Sequence, residues 1–289
     1  MGEKLSIFEV GPRDGLQNEP RPIPTVGKIA LVDALSASGL NAIEVTSFVS
    51  ARWIPQLADA ADVLMGIRRS GGVCYSALTP NMRGFEAALA ADVDMIAVFA
   101  AATESFSQRN INCSIDESFA RFAPVIEAAR KDAVPVRAYV SCVTDCPFEG
   151  PVEPGAVAHI AARFAAAGVA QISLGETLGR ARAPAVSAML EAVLTEVPCG
   201  LLAGHFHDTS GAALENVAIA AEKGLRVFDS AAGGLGGCPY APGAAGNLAT
   251  ERLLDWALAQ GFDTGVDPVA LERAAALAKE LKMGQSDVV

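Results

Sequence analysis

Two histidines separated by a single residue, His205 and His207, are the feature of the chain that most clearly indicates a chemical function. They end an apolar run typical of a buried strand, and residues i and i+2 of a strand project from the same face. Two histidines hydrogen-bonded inside a core are the alternative, but two of the three histidines in the chain share this one strand end. Two imidazoles with additional oxygen ligands suit a divalent cation, and more oxygens favour Mg²⁺ or Mn²⁺. We therefore predict that the pair binds a metal ion.

The elements that must position this pair form a regular alternation of strands and helices. Short apolar runs rich in Val, Ile and Phe predict eight strands. They cover residues 5–10, 42–46, 73–78, 95–100, 136–143, 171–174, 201–207 and 226–230. Helical patterns lie between them, which implies right-handed crossovers and a parallel sheet. A final helical cap is expected at about residues 266–283.

Polar residues decide between an open doubly wound sheet and a closed barrel, since both show this alternation. They recur at the carboxyl ends of the strands. Arg13 and Asp14 follow the first strand, and Glu44 and Ser47 lie at the end of the second. Such residues converge on one mouth only if the sheet closes, and active sites of TIM barrels lie at that mouth. The sequence therefore predicts an α/β fold, a (β/α)8 TIM barrel, as a single domain over residues 1–289.

In a closed barrel the first, seventh and eighth strands adjoin, which brings further oxygen ligands to the histidine pair. Asp14 follows the first strand, and Asn247 follows a glycine-rich loop after the eighth. Asp14, His205, His207 and Asn247 can thus meet at one ion. Spacing alone leaves another interpretation of Asn247 open, as the N-cap of a helix that starts at residue 248.

The glycine-rich segment 233–246 is too long for a plain connection, and we predict that it is a mobile lid. Cys238 lies at its centre, placed to enter the site when the lid closes. An incidental loop thiol is the alternative. Cys142 and Cys146 lack a second cysteine pair that would complete a zinc site, and they receive no role.

Composition narrows the class of protein. A net charge of −11 and the absence of a long basic cluster exclude a nucleic-acid partner. No window of 18 consecutive apolar residues indicates a membrane span. Six dispersed cysteines in 289 residues favour reduced thiols, and we expect a cytoplasmic protein.

Several stretches of the chain resemble 3-hydroxy-3-methylglutaryl-CoA lyases. The segment F-E-V-G-P-R-D-G-L-Q-N-E at residues 8–19 is similar to the opening signature of that family. Further similar stretches cover residues 43–50, 110–114, 139–142, 205–209 and 234–247. The resemblance extends over nearly the whole chain. It implies a metal-dependent carbon–carbon lyase, commonly a homodimer, that cleaves 3-hydroxy-3-methylglutaryl-CoA to acetyl-CoA and acetoacetate by a retro-Claisen-type reaction.

The resemblance also implies roles for individual residues. Residues that match Asp14, His205, His207 and Asn247 hold Mg²⁺ or Mn²⁺ in the family. Arg13 matches an arginine that stabilises the enolate of the acetyl-CoA fragment. The catalytic set it implies is Arg13, Glu44, His205 and Cys238, with Cys238 as the proton donor to the departing carbanion. The substrate-binding set it implies is Arg13, Gln17, Ser47 and Ser173.

Two departures from the family pattern bear on the substrate. Glu176 stands where the family usually has Asp, and Ser210 stands where Tyr commonly follows H-D-T. We predict that they reshape the mouth for a bulkier acyl branch. The alternatives to the leading function are a lyase for citramalyl-CoA or for a longer 3-hydroxy-3-alkylglutaryl-CoA and, more distantly, a 2-oxo acid acyltransferase. A non-enzymatic scaffold would predict damaged ligands, and none is damaged.

Overall fold

The barrel is built from eight parallel strands that close on themselves. The structure, a computed structural model, describes residues 2–238 and 241–284, and for residues 237–238 and 241–245 it describes the backbone alone. The strands are β1 (Ser6–Glu9), β2 (Ala42–Ser47), β3 (Cys74–Leu78), β4 (Met95–Ala101), β5 (Val136–Ser141), β6 (Gln171–Glu176), β7 (Leu202–Phe206) and β8 (Val227–Ser230). Strand β1 pairs in parallel with both β2 and β8, so the sheet has no edge. The predicted closed barrel is confirmed, and the open doubly wound sheet is excluded.

Ten α-helices alternate with these strands in the described part of the chain. They are α1 (Thr25–Ser36), α2 (Ala60–Gly66), α3 (Met82–Ala90), α4 (Glu104–Ile111), α5 (Ile115–Lys131), α6 (Pro154–Ala166), α7 (Ala183–Glu196), α8 (Ala213–Glu222), α9 (Thr250–Ala259) and α10 (Pro268–Met283). Their ends follow local chemistry. Ser114 and Glu117 form a capping box at the start of α5, and the Asp267 carboxylate accepts backbone N–H groups at the start of α10. None of the described helices has the length and hydropathy to cross a bilayer.

Two features that position the site follow from backbone irregularities. After β1 the chain forms a single π-helical turn, Gly11–Gly15, in which three successive N–H groups approach the carbonyl of Val10. This turn carries Arg13 and Asp14. The register of β2 against β3 shifts between Glu44 and Thr46, and such bulges re-aim side chains next to active sites.

The glycine-rich segment contains regular structure that the sequence did not indicate. Gly237–Cys238 and Ala241–Ala245 pair as a two-stranded antiparallel sheet. A second small sheet joins Asp145–Cys146 to Gly150–Pro151. Both lie outside the barrel wall, as connections after β8 and β5 respectively.

Candidate metal centre at the barrel mouth

His205 on β7 and His207, one residue beyond its end, converge as the alternation of a strand requires. Their Nε2 atoms lie 3.1 Å apart. Two nitrogen ligands at about 2.1 Å from one ion, at a right angle, would be about 3.0 Å apart. Burial, together with the repulsion of a charge on His205, lowers the pKa of His207 to about 4. His207 is therefore neutral near pH 7, which is the form that binds a cation.

Asp14 completes a cluster of three possible ligands. One ligand atom from each of Asp14, His205 and His207 lies within 4.8 Å of the others, the only such group among the residues whose side chains are described. Burial would raise the pKa of Asp14, but the Arg13 guanidinium and the two imidazoles outweigh it and lower the pKa to about 2. The carboxylate is thus ionised near pH 7, where His207 is neutral.

Asn247 lies beside this cluster and does not cap a helix. Helix α9 begins at Thr250 with Ala249 as its N-cap, so the N-cap interpretation of Asn247 is wrong. Its backbone forms an isolated antiparallel bridge with His207. Its Nδ2 donates to Asp14 Oδ2 at 2.9 Å and to the Leu235 carbonyl at 3.3 Å. The amide is thereby held against two of the possible ligands, where its oxygen could serve as a fourth.

Asp229 on β8 supports the histidine pair from inside the barrel. One of its oxygens lies 3.2 Å from His205 Nδ1 and accepts a hydrogen bond from the Ser173 hydroxyl at 2.8 Å. Its other oxygen pairs with Arg137, whose guanidinium is fully buried and stacks on the ring of Phe8 at 3.8 Å. Burial would raise the pKa of Asp229, but Arg137 and His205 lower it. A carboxylate on Nδ1 leaves Nε2 of His205 with its lone pair facing the metal position.

Arg13 is held in a second buried network next to Asp14. Its Nε donates to Glu44 Oε2 at 2.5 Å, and its Nη1 donates to Asp14 Oδ1 at 2.6 Å. The Tyr139 hydroxyl also donates to Glu44 Oε2, at 3.1 Å. Burial would lower the pKa of Arg13, but Glu44 and Asp14 raise it. Burial raises the pKa of Glu44 and the Arg13 guanidinium opposes that rise, while the two donors favour an ionised carboxylate.

These charges fit a divalent cation. The two guanidinium groups of Arg13 and Arg137 face the three carboxylates of Asp14, Glu44 and Asp229, so this set has an excess of one negative charge. A divalent cation would turn this excess into one positive charge. A centre of that sign attracts an anionic substrate in a chain that is acidic overall.

Comparison with known proteins agrees with this geometry. The profile of the HMGL-like family matches residues 4–278. The chain belongs to the HMGL-like family. It is 55% identical over 269 residues to a Pseudomonas aeruginosa protein named 3-hydroxy-3-isohexenylglutaryl-CoA/hydroxy-methylglutaryl-CoA lyase, covering 93% of this chain and 90% of that protein.

Solved structures of HMG-CoA lyases share the architecture of this HMGL-like chain. The enzyme from Brucella melitensis superposes with a TM-score of 0.96 at 52% identity, covering 97% of this chain and 99% of that one. An HMG-CoA lyase from A. baumannii, in complex with coenzyme A and 3-methylmalate, has a TM-score of 0.91 at 36% identity, covering 98% and 93% of the two chains.

The residues predicted to bind substrate make protein contacts in this HMGL-like barrel. Gln17 donates from Nε2 to Asp14 Oδ1 at 2.8 Å, and Ser47 Oγ accepts from the Val49 N–H at 3.2 Å. Ser173 donates to Asp229. Gln17 therefore lies at the metal cluster, and Ser173 touches the support of a ligand. Their roles toward the substrate stay predictions.

The side chain of Cys238 lies outside the described part of the structure, but the chain that leads to it does not. A Cβ on Gly236 would lie 2.9 Å from Asn247 Nδ2 and 3.7 Å from the Asp14 carbonyl. Two residues before Cys238, the glycine-rich segment therefore passes next to the Asn247 amide and the backbone of Asp14. Its predicted motion as a lid remains untested.

The two residues that depart from the family pattern, Glu176 and Ser210, both contact one loop. Glu176 Oε1 accepts from the Arg180 N–H at 3.3 Å, and the Ser210 hydroxyl donates to the Gly179 carbonyl at 2.6 Å. Both contacts hold the loop that follows β6. Among the described contacts, neither side chain has a hydrogen bond to a proposed metal ligand, although the Glu176 carbonyl accepts one from the His207 N–H at 3.2 Å.

Sequence reasoning missed Asp229, Arg137 and Tyr139 as members of the site. The available signal was charge in otherwise apolar strands, since V-F-D-S and V-R-A-Y-V-S each place an ionisable group on a buried strand. The alternation of side chains along a strand predicts whether such a group faces the inside or the outside of the barrel. It does not predict which residue the group pairs with.

Asp229→Asn is expected to weaken metal binding about 10- to 100-fold, the usual cost of losing a group that orients a ligand. It should also reduce the free energy of unfolding by about 3–5 kcal/mol, because Arg137 is left buried without a charged partner. Binding of Mn²⁺ and thermal unfolding measure the two effects. Ser173→Ala is the control, since it removes one hydrogen bond to the same carboxylate and should keep metal affinity within about threefold. Unchanged Mn²⁺ affinity in Asp229→Asn would contradict the assignment.

Proposed function

We propose that this protein is a hydroxymethylglutaryl-CoA lyase that cleaves 3-hydroxy-3-methylglutaryl-CoA to acetyl-CoA and acetoacetate. The observation that carries the proposal is the convergence of Asp14, His205 and His207, directly beside Arg13, in a chain of the HMGL-like family. We further propose that these three residues and Asn247 hold Mg²⁺ or Mn²⁺. Hard oxygen ligands together with imidazole suit either ion.

Negative charge develops at two places during the reaction, on the substrate hydroxyl and on the acetyl-CoA fragment, and both charges must be stabilised. The tertiary hydroxyl of the substrate loses its proton, the bond between C2 and C3 breaks, and the electron pair passes to the acetyl-CoA fragment as an enolate. A bound divalent cation lowers the pKa of an alcohol that it contacts.

Arg13 is placed to stabilise the enolate oxygen, because its guanidinium is fixed by Glu44 and Asp14 before any substrate arrives. Glu44 acts by holding this guanidinium. His205, with Nδ1 against Asp229, is proposed to take part in proton transfer as well as in ligation. Cys238 is proposed to return a proton to the enolate.

The proposal is tested by acetyl-CoA release from protein stripped with EDTA. We expect turnover to disappear with the metal and to return on addition of Mg²⁺ or Mn²⁺. Protein incubated with the same chelator already saturated with Mg²⁺ controls for damage by the chelator itself. Full turnover after exhaustive removal of divalent ions would refute a metal-dependent lyase.

A lyase for longer-branched substrates is the second candidate, favoured by the contacts of Glu176 and Ser210 to one loop at the mouth. The effect on selectivity would then come from the position of this loop and not from direct contact with the acyl branch. We expect kcat/KM for a longer 3-hydroxy-3-alkylglutaryl-CoA or for citramalyl-CoA to lie within about two orders of magnitude of the value for 3-hydroxy-3-methylglutaryl-CoA. A preference for the methyl substrate by several orders of magnitude would contradict this. The double variant Glu176→Asp, Ser210→Tyr should restore such a preference.

We also propose a cytoplasmic homodimer whose small-molecule partner is the acyl-CoA thioester. The CoA-bound relative from A. baumannii supports the choice of ligand class. Sedimentation equilibrium of the purified chain would measure the oligomeric state.

A further inference from the structure

Glu9 is a buried carboxylate that the proposed mechanism does not use. It is the last residue of β1, and alternation places its side chain on the outer face of the barrel wall, opposite to Phe8. It is fully buried, and no Lys, Arg or His with a described side chain forms an ion pair with it. Burial raises its pKa to about 7, although three hydrogen bonds lower it. Because burial of an unpaired carboxylate costs free energy, we expect this one to have a structural role.

The three donors to Glu9 come from three different segments. The Gly11 N–H donates to Oε1 at 2.8 Å, and the Ala232 N–H donates to Oε1 at 3.0 Å. The Thr250 hydroxyl donates to Oε2 at 2.6 Å. A Cβ on Gly11 would lie 2.5 Å from Oε1, so glycine is required for this close approach.

Two of these segments each carry one proposed ligand, and the third enters the glycine-rich segment. Gly11 begins the π-helical turn with Asp14, and Ala232 begins the turn that enters the glycine-rich segment. Thr250 begins α9, three residues after Asn247. One carboxylate therefore joins the backbone around Asp14 to the backbone around Asn247, two of the four proposed ligands.

We propose that Glu9 is a positioning residue that fixes the spacing between Asp14 and Asn247 and thereby sets the affinity of the site for its cation. This inference rests on the proposed metal site. Without Glu9, two buried N–H groups lose their acceptor, and the turn and α9 can shift relative to each other. The separation of the ligands would then no longer be fixed before the metal binds.

A glutamine at this position separates the effect of the hydrogen bonds from the effect of the charge. Its carbonyl oxygen can replace Oε1 and still accept from Gly11 and Ala232. Its NH₂ group can replace Oε2 and donate to the Thr250 hydroxyl, because Thr250 can in turn donate to the Ser230 hydroxyl 2.9 Å away. Reversing this short chain of hydroxyls keeps all three segments joined without a charge. Alanine keeps none of the contacts.

The test measures binding of Mn²⁺ to metal-free protein from the electron paramagnetic resonance signal of the free ion. We expect Glu9→Ala to weaken binding about 10- to 100-fold and Glu9→Gln to stay within about threefold of the wild type. Thr250→Val loses the donor to Oε2 and the contact with the Ser230 hydroxyl but keeps both backbone donors to Glu9. It should weaken binding less than Glu9→Ala and remains informative if Glu9→Ala does not fold. Leu35→Ala is the control for general destabilisation, because Leu35 is fully buried in α1, a helix that carries no proposed ligand. It should lower Tm and leave Mn²⁺ affinity unchanged.

Two results would overturn the role of Glu9 alone, with the metal site intact. One is wild-type Mn²⁺ affinity in both Glu9→Ala and Thr250→Val. The other is a loss in Glu9→Gln as large as the loss in Glu9→Ala, which would point to the charge and not to the contacts. Failure of the wild-type protein to bind Mn²⁺ would overturn the proposed metal site, and the role of Glu9 with it.

Discussion

Replacing His207 with alanine is expected to lower kcat by about three orders of magnitude or more while the barrel stays folded. A cation that stabilises developing charge contributes several kcal/mol to the transition state, and each 1.36 kcal/mol is a factor of ten in rate. The variant would leave Asp14, His205 and Asn247 as the possible ligands, and it removes the nitrogen that lies 3.1 Å from His205 Nε2. Binding of Mn²⁺ should weaken in parallel.

The fold should survive because His207 contributes little to the hydrophobic core. It lies one residue beyond the end of β7, and its bridge to Asn247 is made by backbone atoms that alanine retains. His159→Ala is the matched control, since His159 is exposed on α6 and the same substitution there should change neither kcat nor Mn²⁺ affinity. A His207→Ala protein with kcat and Mn²⁺ affinity near those of the wild type would remove this residue from the ligand set.

The sequence was sufficient for the barrel and for the histidine pair because both depend on local periodicity. His205 and His207 share a face by the geometry of any strand, and Asp14 reaches them because β1, β8 and β7 are neighbours once the sheet closes. Asn247 could not be assigned from spacing, since a helix start and a ligand position put the same residue type at the same place. The start of α9 two residues later than expected removed the cap interpretation.

The sequence did not predict the residues that support the site, and the reason is geometric. Arg137 on β5 pairs with Asp229 on β8, and three strand positions separate these strands around the barrel. A contact across the barrel interior depends on barrel diameter, strand tilt and side-chain length together. The hydrophobic periodicity of the sequence predicts none of these. Glu9 is hidden in a different way, because its partners are backbone N–H groups that carry no residue signature.

Cys238→Ser is expected to lower kcat by about two to four orders of magnitude, the range for loss of a general acid. Cleavage leaves an acetyl-CoA enolate that must take up a proton. The described side chains around the metal cluster are poor sources of that proton. Arg13 remains protonated throughout, and the Tyr139 hydroxyl is engaged by Glu44 in a site that raises its pKa well above the usual value.

The path of the chain brings Cys238 to the same place. Gly236 packs against Gly15 and the Asn247 amide, and two residues of backbone span at most about 7 Å. The backbone of Cys238 therefore lies within about 7 Å of a residue that contacts the Asn247 amide, and we expect its thiol to reach the enolate. Serine preserves the size of the side chain but is a far weaker acid, so substrate and Mn²⁺ binding should stay near normal while the chemical step slows.

The measurement is kcat with saturating Mg²⁺ under reducing conditions, alongside Mn²⁺ affinity. Cys199→Ser is the control, because Cys199 lies before β7 at the opposite end of the barrel from the mouth and should tolerate the same exchange. A joint fall in kcat and in Mn²⁺ affinity would instead indicate that Cys238 supports the metal centre. A kcat near that of the wild type in Cys238→Ser would show that the proton comes from elsewhere, and Cys238 would then be an incidental loop thiol.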